Sequence, residues 1–205
     1  MKTATTYLSS QLAEHLDVSA AMKELLPLVD DLIGRICEAF DGGGNLYTFG
    51  NGGSAADAQH LAAEMIGRFQ RDRRPLPAIA LSVDPSVVTC VANDFGFEEV
   101  FARQVEALTG PTDVVVGFTT SGHSPNVANG LREARRRGAT TVLFGGEDGG
   151  ISLEEADVAL LVPSSKTARI QEMHTLLVHL VSEGVDMWAA DQSGGRRSIS
   201  TDSNA

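Results

Sequence analysis

The chain has 205 residues, of which 42% are hydrophobic and 21% are charged. This balance excludes disordered and collagen-like chains, and the length favours one compact domain over two. The formal net charge of -11 argues against sequence-independent nucleic-acid binding by the whole surface.

The first forty residues predict two helices, one from Tyr7 to Leu16 and one from Leu25 to Phe40. They hold more apolar residues than one face of a sheet needs, so we expect these N-terminal helices, within residues 1–41, to mediate oligomerisation.

Short apolar runs then alternate with helical sequence, a pattern typical of strands buried on both faces of a parallel sheet. The predicted strands are Asn45–Phe49, Ala78–Leu81, Val114–Phe118, Thr140–Phe144 and Ala159–Val162. The sequence therefore predicts an α/β fold with a five-stranded, doubly wound parallel sheet flanked by helices.

The longest predicted helix, from about Thr167 to Ala189, closes this fold. We expect a single domain over residues 1–190. Residues 191–205 have no apolar periodicity, which predicts a disordered tail.

Two loops that follow predicted strands are candidate anion-binding sites, because ligands of open parallel sheets bind beyond the carboxyl ends of the strands. They are Gly50–Ser54 and Thr119–Pro125. In the second loop, Ser124 and Pro125 predict a helix start whose free amides would face a phosphate. Turns of this kind also use Gly, Ser and Asn for backbone reasons alone. The presence of both loops, without Walker A or dinucleotide glycine spacing, favours a phosphorylated small molecule over ATP or NAD.

His60 and Glu64 lie four residues apart on one face of the helix after the first loop. Such a pair is usually solvated surface, but the nearby phosphate loop and the small, apolar neighbours predict an interior or a cleft. On the last helix His174 and His179 lie about 140° apart and cannot both face one site. The apolar neighbours of His179 leave open whether it is a core residue or a ligand.

The two cysteines, Cys37 and Cys90, form no Cys-x-x-Cys pair, so they build neither a disulfide framework nor a thiolate metal cluster. We therefore expect a reducing, cytoplasmic compartment. The chain shows no signal-peptide pattern and no run near the roughly 18 apolar residues of a membrane span. We expect neither a nucleic-acid partner nor a membrane partner.

These segments together resemble the sugar isomerase (SIS) domain family, and within it the phosphoheptose isomerases, which interconvert sedoheptulose 7-phosphate and D-glycero-D-manno-heptose 7-phosphate. The resemblance covers nearly the whole chain. It rests on Gly50–Ser54 with Asp57-Ala58-Gln59-His60 and Glu64, on Gly67-Arg68, on Ala92–Phe97, on Thr120-Ser121-Gly122 with Ser124, and on Arg169-Ile170-Gln171-Glu172 with His174 and His179.

The resemblance implies an aldose-ketose isomerase of heptose biosynthesis whose substrate phosphate is held by the hydroxyl loop. Glu64 and His179 match the family's acid-base pair, and with His60 and Gln171 they match its ligands for one zinc ion per subunit. A homotetramer or dimer is implied, in which His60 and Glu64 need not share a subunit with Gln171 and His179. The implied substrate-binding residues are Asn51, Gly52, Gly53, Ser54, Arg68, Asn93, Asp94, Thr119, Thr120, Ser121, Ser124 and Gln171.

Two positions depart from the family pattern. His123 stands where Asn is frequent, and Ala168 stands where some members have Asp. Ala168 and its surroundings also resemble the DnaA initiator-associating proteins, a class of binding proteins that lack the carboxylate and imidazole at the positions of Glu64 and His179. That class, a sugar-phosphate sensor and an isomerase of another sugar phosphate are the alternatives.

The arginine run Arg68, Arg71, Arg73 and Arg74 contains Asp72 and has few aromatic neighbours. It predicts a solvated face with one phosphate contact from Arg68, in preference to a nucleic-acid patch. His15 is also predicted to lie on the surface.

Overall fold

The computed structural model describes residues 4–194. Its first elements are α1 (Ala4–Ala21), a 3-10 turn (Met22–Leu25) and α2 (Leu26–Asp41). Apolar residues at helical spacing form the buried side of α2, which packs in the core with the last helix. The two predicted helices are therefore present, and the first is longer at both ends than its apolar pattern indicated.

Five parallel strands form one sheet in the order β2-β1-β3-β4-β5, which confirms the predicted architecture. The strands are β1 (Leu46–Gly50), β2 (Ala78–Ala80), β3 (Val114–Phe118), β4 (Thr140–Gly146) and β5 (Val158–Val162). From β1 the chain runs outward to β2 and then returns past β1 to β3. The carboxyl ends of β1 and β3 therefore lie at the switch in strand order, where such sheets bind ligands.

Helices cover both faces of the sheet, so β1 and β3 are buried along their whole length. The remaining helices are α3 (Gly53–Ile66), α4 (Pro85–Phe95), α5 (Ala102–Leu108), α6 (Pro125–Arg136) and α7 (Thr167–Gly194). Residues of α2, α3 and α7 pack on one face, and residues of α4, α5 and α6 pack on the other. Short 3-10 turns at Phe97–Glu99 and Gly150–Glu155 complete the elements.

The last helix, α7, is longer than predicted and continues to Gly194. The prediction that the tail begins at residue 191 is therefore wrong for residues 191–194. A tertiary contact accounts for the extension: the Gln192 side chain donates a hydrogen bond to Asp41 at the end of α2. The rest of the predicted tail, residues 195–205, lies outside the described residues.

The N-terminal helix α1 is attached to α7 by polar contacts and leaves apolar side chains exposed. His15 lies at the surface, as predicted, and its Nδ1 is 2.7 Å from Glu172 Oε2 on α7. Tyr7, Leu8, Leu12 and Leu16 are each more than half exposed, as expected of a helix available for association. Between residues 4 and 194 no helix is long and apolar enough to cross a membrane.

Candidate functional site

The carboxyl ends of β1 and β3 open into a cavity of about 230 Å³. Its walls come from the two predicted anion loops and from the start of α7. They consist of Asn51, Ser54, Phe118, Thr119, Thr120, Ser124, Thr167 and Gln171. These lining side chains offer hydroxyl and amide groups and carry no formal charge. Phe118 and Thr167 are the two lining residues that the sequence did not predict as substrate contacts.

Three helices begin at this cavity. Ser54 lies in the first turn of α3, Ser124 is the N-cap of α6 with Pro125 after it as predicted, and Thr167 begins α7. The first amides of a helix lack intrahelical partners, and the helix end carries a partial positive charge. Three such helix ends around one uncharged cavity favour the binding of an anion, and in particular of a phosphate group.

The hydroxyls of the second loop are free to face this cavity. The Ser124 side chain makes no capping bond, and its Oγ lies 3.3 Å from Thr119 Oγ1, which accepts from the Gly122 amide. Gly122 has a φ of +69°, and a Cβ there would meet the carbonyl of Gly149. Only glycine fits this turn, at whose rim Ser121 is exposed and accepts a bond from the His123 amide.

An amide pair joins the two anion loops. Asn51 and Asn126 donate to each other through their side chains, each at 2.8 Å, and Asn126 is buried. The sequence analysis missed Asn126, for which the available signal was a polar residue on the buried side of an amphipathic helix. Because Asn126 follows the start of α6 directly, the pair fixes the first loop against the N-terminus of that helix.

Gln171 lies across the start of α3. A Cβ added at Gly53 would be 2.4 Å from Gln171 Nε2, so the glycine provides the room for this side chain. Gln171 therefore lies at the cavity, one of whose walls it forms.

Farther along α3 and α7, three predicted residues lie near one another. His60 Nε2 is 3.2 Å from Glu64 Oε1, and the rings of His60 and His179 pack edge to face with centroids 5.1 Å apart. The ring of Phe69 stacks on the other side of His179 at 5.5 Å. Within one chain the structure thus places His179 beside His60, which lies within hydrogen-bonding distance of Glu64.

The other histidine of α7 lies in a different environment, as the angular separation predicted. His174 is completely buried between Phe118 and Phe144, and its Nε2 is 3.2 Å from the carbonyl oxygen of Gly145. Burial lowers the pKa of His174 to about 4, against the opposing effect of that hydrogen bond. His174 is a neutral core residue.

A buried carboxylate connects the cavity with the histidine cluster. Asp57 on α3 accepts a hydrogen bond of 3.0 Å from Thr175 Oγ1 on α7. Burial raises the pKa of Asp57, and the Thr175 hydroxyl and the charge of His60 oppose this change. The residue pairs Gly53 with Gln171, Asp57 with Thr175 and His60 with His179 show that α3 and α7 run side by side in the same direction.

The donors for the implied zinc ion are partly assembled. His60, Glu64 and His179 offer the nitrogen and oxygen ligands that zinc accepts, whereas Gln171 lies about two helical turns before His179. In the described part of the chain no three His, Cys, Asp or Glu side chains are placed so that they could hold a metal ion as they stand. Glu64 and His60 are instead hydrogen-bonded to each other. The donor chemistry fits zinc, and the ligand set stays a prediction.

Some predicted residues lie away from the cavity. Arg68 is exposed after α3 with Asp72 at 3.9 Å, and Asn93 and Asp94 are exposed on α4 and hydrogen-bonded to each other. Their roles in substrate binding stay predictions. One expectation is wrong: the side chain of Arg73 is fully buried in an ion pair and does not belong to a solvated face.

Comparisons with known proteins show relatives both in sequence and in fold. The model of the SIS domain family matches residues 15–146. The phosphoheptose isomerase of Aquifex aeolicus is 49% identical over 181 residues, which cover 88% of this chain and 95% of that protein. The solved phosphoheptose isomerase of Neisseria gonorrhoeae has a TM-score of 0.85 and 37% identity, covering 90% of this chain and 100% of that chain. The phosphoheptose isomerase of Francisella tularensis has a TM-score of 0.87 and 31% identity, covering 90% and 99%.

Proposed function

The chain belongs to the phosphoheptose isomerase family of SIS-domain proteins, and we propose that it interconverts sedoheptulose 7-phosphate and D-glycero-D-manno-heptose 7-phosphate for heptose biosynthesis. The alternatives have less support. Two relatives at 49% and 46% identity are phosphoheptose isomerases, and the chain has both Glu64 and His179, the residues whose absence would favour an initiator-associating protein.

One observation carries the proposal: the uncharged cavity and the cluster of His60, Glu64 and His179 lie apart along the same two helices. On α3 the spacing between Gly53 and His60 corresponds to about 10 Å, and on α7 that between Gln171 and His179 to about 12 Å. A sugar with a terminal phosphate reacts at its far end, so it needs these two sites at a distance. The cavity would bind the phosphate while C1 and C2 lie near the cluster.

The reaction moves the carbonyl from C2 of the ketose to C1 of the aldose. A base removes a proton from C1, the electron pair forms the C1–C2 double bond, and O2 gains a proton to give an enediol. O1 then loses its proton, C2 gains one, and the carbonyl is at C1, so no external oxidant or reductant is required. The Glu64 carboxylate and the His179 imidazole supply the base and the acid.

We further propose that His60, Glu64 and His179 hold one zinc ion per subunit together with Gln171 of a neighbouring subunit, because within one chain Gln171 lies about two helical turns from His179. When bound, zinc would supply Lewis-acid polarisation of the substrate carbonyl. The support is the donor chemistry of three adjacent side chains from α3 and α7, which suits zinc. Metal binding requires Glu64 to exchange its hydrogen bond with His60 for a metal contact.

We also propose a cytoplasmic homotetramer, or a dimer. The support for association is the exposed apolar face of α1, formed by Tyr7, Leu8, Leu12 and Leu16. Association would cover this face beside the start of α7, where Arg169 and Glu172 already bind α1. Neighbouring subunits would then lie close to the cavity.

The proposal is tested by incubating the zinc-loaded protein with sedoheptulose 7-phosphate and measuring aldoheptose 7-phosphate. Glu64→Gln and His179→Asn should each lower kcat by about 10²- to 10⁴-fold, the usual contribution of a positioned acid or base, while leaving a folded oligomer. A chelator-treated sample should lose activity and regain it with zinc. Normal rates in either variant would remove that residue from the mechanism, and no product from the folded, zinc-loaded wild type would contradict the function.

A further inference from the structure

The loop after α3, residues 67–75, is fixed to α7 by one buried ion pair. Arg73 Nε donates to Asp186 Oδ1 at 2.8 Å, and both side chains are completely buried. The backbone amides of Gln70 and Arg71 donate to the other carboxylate oxygen. Burial alone would raise the pKa of Asp186, but these amides and the Arg73 guanidinium hold it below its usual value. Asp186 is therefore a satisfied buried anion around which the loop is folded.

Arg73 connects this ion pair to the end of α3 that carries Glu64. Its Nη2 donates to the carbonyl oxygen of Glu64 at 2.6 Å, and its Nη1 donates to that of Met65 at 2.8 Å. These carbonyls lie in the last turn of α3, where the helix has no further amides to offer, and a cation is favourable there. The guanidinium thus fixes the helical turn from which the Glu64 side chain projects.

Asp186 connects the same ion pair to His179. The two residues are seven apart on α7 and so share one face of that helix. Asp186 accepts hydrogen bonds from the backbone amides of the two residues that follow Phe69. The ring of Phe69 stacks on His179, with centroids 5.5 Å apart and an interplanar angle of 29°. His60 packs against the same imidazole at 5.1 Å. The position of Phe69 therefore sets one wall of the space that the His179 ring occupies.

We infer that the buried Arg73–Asp186 pair, acting through Phe69 on one side and the last turn of α3 on the other, positions His179 relative to Glu64. The inference rests on the proposed isomerase function. Neither Arg73 nor Asp186 touches the cavity or a side chain of His60, Glu64 or His179 with its own charged group, so both are positioning residues. Their effect should appear in the chemical step, because the phosphate cavity is built from other loops.

The first arm of the test is kinetic. Phe69→Leu removes the stacked ring and Asp186→Asn removes the charge that holds the loop, and each should lower kcat by up to about 10²-fold, the cost of an ångström-scale misplacement. KM should stay unchanged. Phe69→Tyr keeps the ring and should retain the wild-type kcat. Because both changes act on one imidazole, the double variant Phe69→Leu with Asp186→Asn should be no slower than the slower single variant.

Asp113→Asn is the matched control for a loss of stability. Asp113 is also a buried carboxylate that accepts hydrogen bonds from backbone amides, those of Asn45 and Gly110, but its partners lie in the turns before β1 and β3 and outside residues 67–75. Its substitution should lower the melting temperature while leaving kcat per folded subunit unchanged. An equal loss of kcat in Asp113→Asn would assign the effect to stability and overturn the inference. If Asp186→Asn does not fold, the comparison of Phe69→Leu with Phe69→Tyr decides.

The second arm does not depend on turnover. In protein labelled with ¹³C-histidine, the His179 ring signal, assigned by its loss in His179→Asn, should shift on Phe69→Leu as the ring current disappears. It should shift in the same direction in Asp186→Asn and stay in place in Phe69→Tyr and Asp113→Asn. An unchanged signal in Asp186→Asn overturns the inference even if the wild type isomerises no heptose phosphate. A wild type without turnover but with these shifts contradicts only the proposed function.

Discussion

Acid should destabilise this protein through one buried histidine, and His174→Gln should remove that sensitivity. His174 is completely buried between Phe118 and Phe144, and burial lowers its pKa to about 4. In the unfolded chain a histidine takes up its proton near pH 6.5. Between about pH 6.5 and 4 the unfolded state therefore binds more protons than the folded state. The contribution to stability is complete above the unfolded pKa and is lost as the pH falls through this window.

The size of the effect follows from the difference between the two pKa values. Proton uptake by the unfolded state alone costs the fold about 2 kcal/mol between pH 7 and pH 5, and about 3 kcal/mol over the whole window. A glutamine at this position can still donate to the carbonyl oxygen of Gly145, the partner of His174 at 3.2 Å, but it does not titrate. His174→Gln therefore changes the pH dependence of stability independently of any constant cost that it adds.

The assay is urea unfolding at pH 7 and pH 5, with both proteins at one fixed concentration because the apparent stability of an oligomer depends on protein concentration. Wild type should lose about 2 kcal/mol more free energy of unfolding between these pH values than His174→Gln does. His123→Gln, a change at an exposed loop histidine, should keep the wild-type dependence. If wild type and His174→Gln show the same change with pH, the reasoning from burial to a depressed pKa is refuted.

Two further predictions concern the cavity. Gly53→Ala should displace the Gln171 side chain, which a Cβ would meet at 2.4 Å, and should lower kcat/KM by up to about tenfold with an unchanged melting temperature. Wild-type kinetics in Gly53→Ala would show that activity does not depend on this position of the Gln171 side chain. Ser121→Ala, at the rim of the second anion loop, should raise KM with little effect on kcat. If both constants stay the same, the phosphate does not bind against this loop.

The sheet could be predicted because strands buried on both faces are continuous apolar runs bounded by turns. Val114–Phe118 was located to the residue, and the other strands to within two residues. The helix end at Gly194 could not be predicted, because a contact between Gln192 and Asp41 stabilises it and no local pattern signals that contact. Extended local patterns are thus readable from the sequence, whereas contacts between distant segments are not.

The same distinction holds for the candidate site. Ser54 and Ser124 could be assigned to the cavity because each lies next to a strand end, and topology brings strand ends together. Arg73 was assigned to a solvated face because it lies in a charged run. Its partner Asp186 is 113 residues away along the chain, and only the fold shows that the pair is buried. For His179 the sequence left two roles open, and its contact with His60 lies between separate helices.

An acidic chain can still bind the proposed anionic substrate, because the hydrogen-bond donors at the cavity are backbone amides and uncharged side chains. A net charge of -11 repels a sugar phosphate at long range, but exposed charges beyond a Debye length of about 8 Å are largely screened at physiological salt. Inside the cavity the local field dominates, and three helix N-termini contribute backbone amides that no acidic side chain neutralises among the lining residues. Among the lining residues of one chain the donors to the phosphate are neutral, so a cationic partner, for which Arg68 stays the prediction, would come from outside this set.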